Sequence, residues 1–200
     1  MTLSRLCKPF ACLLGARHCV AAVEFALLAP TFVLLFAGIV DLGNALWTWC
    51  RLEEAVAAGT SFALVNGGVS ANDVNSVNGQ SLASDIANIV SNSAIVGSYT
   101  TPADVTVVVN NGPATTITSG VSSNSGTATF ADSYYCLTMT GSPPTLSWGS
   151  AVASGSTCTG GGTSGKFVTV TASYNFTPFF ASYAFVTNGA ITAIAVVQTK

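Results

Sequence analysis

Val20-Ala-Ala-Val-Glu-Phe-Ala-Leu-Leu-Ala-Pro-Thr-Phe-Val-Leu-Leu-Phe-Ala-Gly-Ile-Val40 is the stretch on which the reading of this chain turns. It holds a single ionisable residue, Glu24. Twenty helical residues at about 1.5 Å each cover roughly 30 Å, the thickness of a bilayer's hydrocarbon core. Arg5, Lys8 and Arg17 precede the run, whereas Asp41, Glu53 and Glu54 follow it with Arg51 as the one nearby opposing charge. Basic flanks stay cytoplasmic, so the expected topology is a single-pass anchor with the remainder of the chain on the outer side. Trp47 and Trp49 suit the outer headgroup layer. The competing reading is a cleaved signal peptide. Its apolar core is usually about 7–15 residues and ends in a small-x-small site, and neither feature is clear here.

The rest of the composition fits an anchored protein. Half of the 200 residues are apolar and 7% are charged, against about 25% charged in an ordinary soluble domain. Beyond Arg51 the basic residues are Lys166 and Lys200 alone, and the formal charge is −2. A phosphate-tracking surface needs clustered Lys and Arg, so no nucleic-acid partner is expected.

Helix-forming sequence continues past the apolar run. Leu46, Leu52, Val56 and Phe62 recur among Ala55, Ala57, Ala58 and Ala63, giving a helix to about Leu64 that Asn66-Gly67-Gly68 should stop. Pro30 lies inside it, removes one backbone hydrogen bond and is expected to kink it. Glu24 admits two readings. It lies near the start of the run and could snorkel to the inner interface, or it needs a cation from another polypeptide to offset the roughly 2.5–3.5 kcal/mol cost of a carboxylate in lipid.

Three segments carry a family resemblance: Ala22-Val-Glu-Phe-Ala-Leu-Leu-Ala-Pro30, Phe36-Ala-Gly-Ile-Val-Asp-Leu-Gly43 and Leu52-Glu-Glu-Ala-Val-Ala-Ala-Gly59. Together they resemble the TadE/TadG-like minor pseudopilin family of bacterial tight-adherence (Flp-type) pilus systems. The likeness covers about the first 65 residues. Later, Phe167-Val-Thr-Val-Thr-Ala-Ser-Tyr-Asn-Phe-Thr-Pro-Phe-Phe180 resembles a late family strand that ends in an aromatic-Thr-Pro step, and the pair Cys136 and Cys158 fits members of the family. The resemblance implies a structural or assembly component of a pilus or related secretion machine. Its implied partners are other pilins or pseudopilins, the inner-membrane assembly platform, a prepilin peptidase and membrane lipid. It implies cutting between Cys19 and Val20, with Glu24 and Phe25 as assembly contacts near the new N-terminus. This chain departs from the pattern in carrying Cys19 where the family has Gly.

The expected division is a basic cytoplasmic leader over 1–19, a transmembrane and exit helix over 20–65, and an extracytoplasmic α+β domain over 66–200. In that domain Gly67 to Gly79 reads as a polar loop. Leu82, Ile86, Ile89 and Val90 fall on one face of a helix over 80–93. Strands are expected at Val105–Val109, within Thr127–Thr140, at Phe167–Phe176 where apolar residues alternate, and at Ala190–Gln198 antiparallel to it. The fold class is therefore α+β, a short helix on a small, mainly antiparallel sheet.

From Ser154 to Gly165 the chain is nearly all Gly, Ser and Thr, too polar to order itself by apolar burial. A bond between Cys136 and Cys158 would close a loop of about 22 residues, worth about 3 kcal/mol in the chain-entropy model. An oxidising compartment permits it, and two unpaired thiols are the alternative.

Enzyme chemistry is not expected. His18 is the one histidine, no GxSxG or phosphate loop occurs, and Asp73, Asp85, Asp104 and Asp132 are widely spaced. No cofactor or metal is expected, because no Cys/His set has ligand spacing and Asp73 lacks an EF-hand context. A membrane-tethered, adhesin-like binding module outside any pilus is the alternative function. It would use Tyr174, Phe176, Phe179, Phe180, Tyr183 and Phe185 as a contact surface rather than as core.

Overall fold

The computed structural model describes residues 18–70, 76–94, 102–127, 133–141, 144–179 and 189–199. The architecture is α+β. Helix α1 (His18–Ser70) is followed by helix α2 (Ser76–Ser93) and strands β1 (Asp104–Val109), β2 (Ala114–Thr118), β3 (Val121–Ser125), β4 (Leu137–Thr140), β5 (Thr145–Trp148), β6 (Phe167–Asn175) and β7 (Ala190–Gln198). Two compact units divide the chain: one ends at Asn44 and takes in Pro178 and Phe179, while the other runs from Ala45 to Thr177 and resumes at Ala184.

In the second unit five strands form an antiparallel sheet in the order β3-β2-β1-β6-β7. Register follows the alternation read in β6. Val168, Val170 and Ala172 face Val197, Ala195 and Ala193 of β7 on one side and Val109, Val107 and Val105 of β1 on the other. That row is one face of the sheet, and its β1 and β6 members are all buried. The opposite face carries Thr106, Thr116, Thr171 and Thr192.

Helix α2 closes the core with Leu82, Ala83, Ile86, Ala87 and Val90, all buried. Ile89, expected on the same face, is half-buried. The C-terminal half of α1 supplies Leu52, Ala55, Val56 and Ala63 to the same core. Gly59 lies in that row. A Cβ there would overlap Val90 Cγ2 and crowd Ile86 Cγ2 at 3.3 Å, so the missing side chain is what allows α1 and α2 to approach so closely.

α1 does not stop at Asn66-Gly67-Gly68, as the glycines suggested, but continues to Ser70. The reason lies in packing. Gly67 is buried, and a Cβ on it would run into the Thr199 side chain just beyond β7. A glycine inside a helix costs about 1 kcal/mol relative to alanine, and here it gives a close contact in return.

Strands β2 and β3 were not legible in advance. β2 reads Ala-Thr-Thr-Ile-Thr, and every residue of β3 (Val-Ser-Ser-Asn-Ser) is exposed. Their two-residue connection has Ser119 at φ 51° and Gly120 at φ 81°, the twin left-handed geometry of a tight hairpin. A polar cluster around the buried Thr115 then ties the start of α2 to this edge. Gln80 Nε2 donates to Ala114 O at 3.0 Å and to Thr115 Oγ1 at 2.8 Å, and Thr115 Oγ1 donates to Asn124 Oδ1 at 3.0 Å. β4 and β5 make a separate hairpin. β4 ends at Thr140, and Pro144 directly precedes β5.

Replacing Gly59 by leucine forces a bulky side chain into the α1–α2 contact. The expected loss is about 1–3 kcal/mol, read as a lowered midpoint in thermal unfolding of the detergent-solubilised full chain. Gly43→Leu, where a Cβ meets nothing within 4 Å, should not lower the midpoint.

Candidate functional site on the long helix

The N-terminal part of α1 has the surface of a membrane span. Its stretch from Ala21 to Gly67 is long and apolar enough to cross a bilayer, with mean hydropathy 2.2 over its best window. Between Ala21 and Phe36 every residue is exposed except the half-buried Ala29. Phe25, Leu27 and Val33 are 71%, 74% and 64% exposed. In water such a band would hold apart from solvent nothing that the hydrophobic effect favours hiding. The helix runs through Pro30 without interruption. Because proline lacks an N–H, the carbonyl of Ala26 has no donor at its usual helical position.

Glu24 stands in this band, exposed and flanked by exposed Val23 and Phe25. Among the described residues it has no ion-pair partner. Residues 1–17 lie outside the described ones, and so do the side chains of Cys19 and Val20, which places the expected cutting junction beyond structural comment.

Asp41 behaves differently. It is 1% exposed, and its Oδ1 accepts the backbone N–H of Phe179 at 2.9 Å. Within its own unit this carboxylate holds a segment 138 residues further along the chain. The sequence marked Asp41 only as the first charge after the apolar run, and nothing local signals its partner.

The Cys136–Cys158 pair forms a disulfide with Cα atoms 5.5 Å apart. Around it the chain between β5 and β6 is better fastened than its composition suggests. Cys158 N–H donates to Gly162 O at 3.1 Å, Ser164 N–H to Ser156 O at 2.8 Å, and Ser164 Oγ to Ala153 O at 2.9 Å. Gly155, Gly161 and Gly162 all adopt positive φ. Order here comes from hydrogen bonds and a cross-link instead of apolar burial. Tyr135, fully buried, packs edge-on against Trp148 with ring centroids 5.7 Å apart. The Lys166 ammonium lies 5.6 Å from the centre of the Tyr134 ring, within the range of a cation–π attraction.

The late aromatic residues divide. Phe176 is buried and Tyr174 half-buried, whereas Phe179 is 64% exposed. Phe180, Tyr183 and Phe185 lie outside the described residues. A small hollow at one end of the sheet, lined by Pro102, Asp104, Ser119, Ser173, Tyr174 and Asn175, contains one carboxylate, and Asp104 Oδ1 already accepts the Ser119 N–H at 2.8 Å. Among the described residues no group of three or more His, Cys, Asp or Glu could hold a metal ion.

Residues 20–61 match a family model described as TadE-like protein. The matched stretch begins at the start of the apolar run and ends two residues past Gly59, so it covers Glu24, Pro30, Asp41 and the α1 side of the helix–helix contact. No curated protein and no solved structure matches the chain.

Removing the cross-link with Cys136→Ala should cost about 3 kcal/mol, the loop-entropy value for a 22-residue separation. The loss is expected first as faster amide exchange at Cys158, Gly161 and Ser164, with the β1 and β6 amides still protected.

Proposed function

We propose that this chain is a membrane-anchored, pseudopilin-like structural or assembly component of a tight-adherence type pilus or a related secretion machine. The reading is carried by a coincidence in one stretch. The residues that match the TadE-like model include the bare apolar band of α1, and the band holds one carboxylate, Glu24, without an ion-pair partner among the described residues. A lone carboxylate in lipid costs about 2.5–3.5 kcal/mol. A cation from a second subunit offsets that cost, so the residue favours association. If the leader is removed before Val20, the new N-terminal ammonium of a neighbouring subunit is such a cation.

In this reading the leader stays in the cytoplasm, the helix crosses the inner membrane once, and the sheet unit works outside as a non-enzymatic module. The excess of basic residues before the run and of acidic residues after it supports that direction. The disulfide suits the oxidising side. Other pilins, the assembly platform and a prepilin peptidase are the partners that the family likeness suggests.

Two measurements test this. Intact mass and N-terminal sequencing of protein extracted from native membranes should give a chain starting at Val20. An intact Met1 contradicts processing, and a start beyond Val40 contradicts the anchor itself. Glu24→Gln should lower co-purification with partner subunits by about tenfold or more, equivalent to about 1.4 kcal/mol, while leaving membrane insertion intact. Unchanged co-purification would remove Glu24 from the assembly contact.

A further inference from the structure

From the Asp41–Phe179 bond we infer a second contact between this protein and the bilayer: Phe179 rests in the headgroup–acyl boundary, held there by the carboxylate of Asp41. The inference relies on α1 spanning the membrane and adds a contact made by a different part of the chain. Asp41 follows Val40, the last residue of the apolar run. Ile39 and Val40 are more than half exposed, while Ala37 and Asp41, one turn apart on another face, are buried. If residues 21–40 fill the roughly 30 Å hydrocarbon layer, Asp41 lies at its edge. The backbone nitrogen of Phe179 is 2.9 Å from Asp41 Oδ1, so Phe179 is fixed at the same depth. Phe179 is 64% exposed, and no charged residue lies between Asp41 and Glu53 except Arg51, or between Lys166 and Lys200.

An exposed phenylalanine beside the apolar face of a helix is suited to the boundary between acyl chains and headgroups, where aromatic side chains concentrate. It is continuous with the exposed Ile39 and Val40 of its own unit. Asp41 acts as a positioning residue. In the helix it supplies a fixed acceptor, and burial of that acceptor is compensated by the amide it receives. Chain ordering that would otherwise oppose membrane contact by the 177–179 segment is thus completed in the fold itself.

The test uses the full chain in nanodiscs of phosphatidylcholine and phosphatidylglycerol. A trifluoromethyl-phenylalanine is placed at position 179, at Val33 in mid-helix or at Val121 on exposed β3. Fluorine relaxation is measured with a lipid carrying a nitroxide near its glycerol end and, separately, with a water-soluble gadolinium chelate. At position 179 the lipid probe should enhance relaxation several-fold more than at position 121, and the chelate several-fold less. Asp41→Ala should bring position 179 towards the behaviour of 121 without altering position 33, and Asp41→Asn, which keeps an acceptor oxygen, should restore it. If position 33 is lipid-protected and position 179 answers to the chelate like 121, the second contact is refuted, and a protein partner becomes the better explanation of the exposed ring. If position 33 itself answers to the chelate, the membrane-spanning reading fails and the second contact fails with it.

Discussion

One constraint underlies the rest of this structure: the N-terminal part of α1 carries large apolar side chains that the described residues leave bare. Eleven large apolar side chains between Val23 and Val40 are more than half exposed. Fully burying each is worth about 1.5–3 kcal/mol. Even half of that sum is on the order of 10 kcal/mol, comparable to the whole stability of a typical domain. In the proposed function a cover of that size comes from lipid, from other polypeptides, or from both. Under the proposed function Glu24 belongs to the same constraint, as a carboxylate in an apolar cover whose cost a cation of a second subunit offsets.

The C-terminal half of the same helix solves the opposite problem. Between Leu52 and Ala63 it turns Leu52, Ala55, Val56 and Ala63 inward, and Gly59 lets α2 come close enough for Ile86 and Val90 to pack against it. Gly67 does the same for Thr199. One continuous helix therefore has two different halves: an N-terminal one whose large apolar side chains are exposed, and a C-terminal one whose inward residues join the core. The sheet adds rigidity through its β1–β6–β7 ladder, and the Thr115 cluster satisfies the polar groups that α2 would otherwise leave buried against β2.

Much of this was legible in the residues, for physical reasons that can be named. β6, β7 and the buried face of α2 follow from periodicity, β1 from its β-branched residues and α1 from its unbroken apolar run, so the α+β class was legible; α2 begins at Ser76, however, inside the stretch that read as a polar loop. β2 and β3 lack that signal: β2 buries Ile117 among threonines, β3 is wholly exposed, and side-chain hydrogen bonds through Thr115 help to hold the hairpin. The end of α1 was misplaced because glycine has two uses, ending a helix or admitting a close neighbour, and only the position of Thr199 decides between them. Local sequence is also silent about Asp41. Its partner is 138 residues away, and nothing in Thr177-Pro-Phe179 announces that an amide there will be received by a carboxylate on the first helix.

The central claim is that the apolar half of α1 is embedded in a bilayer in the native cell. Alkaline carbonate washing of native membranes addresses it most directly, because it strips peripheral proteins and leaves spanning helices in place. The account predicts that the chain stays in the membrane pellet with residues 21–40 intact. Recovery of the protein in the wash, or as a dissolved species lacking that stretch, would contradict it.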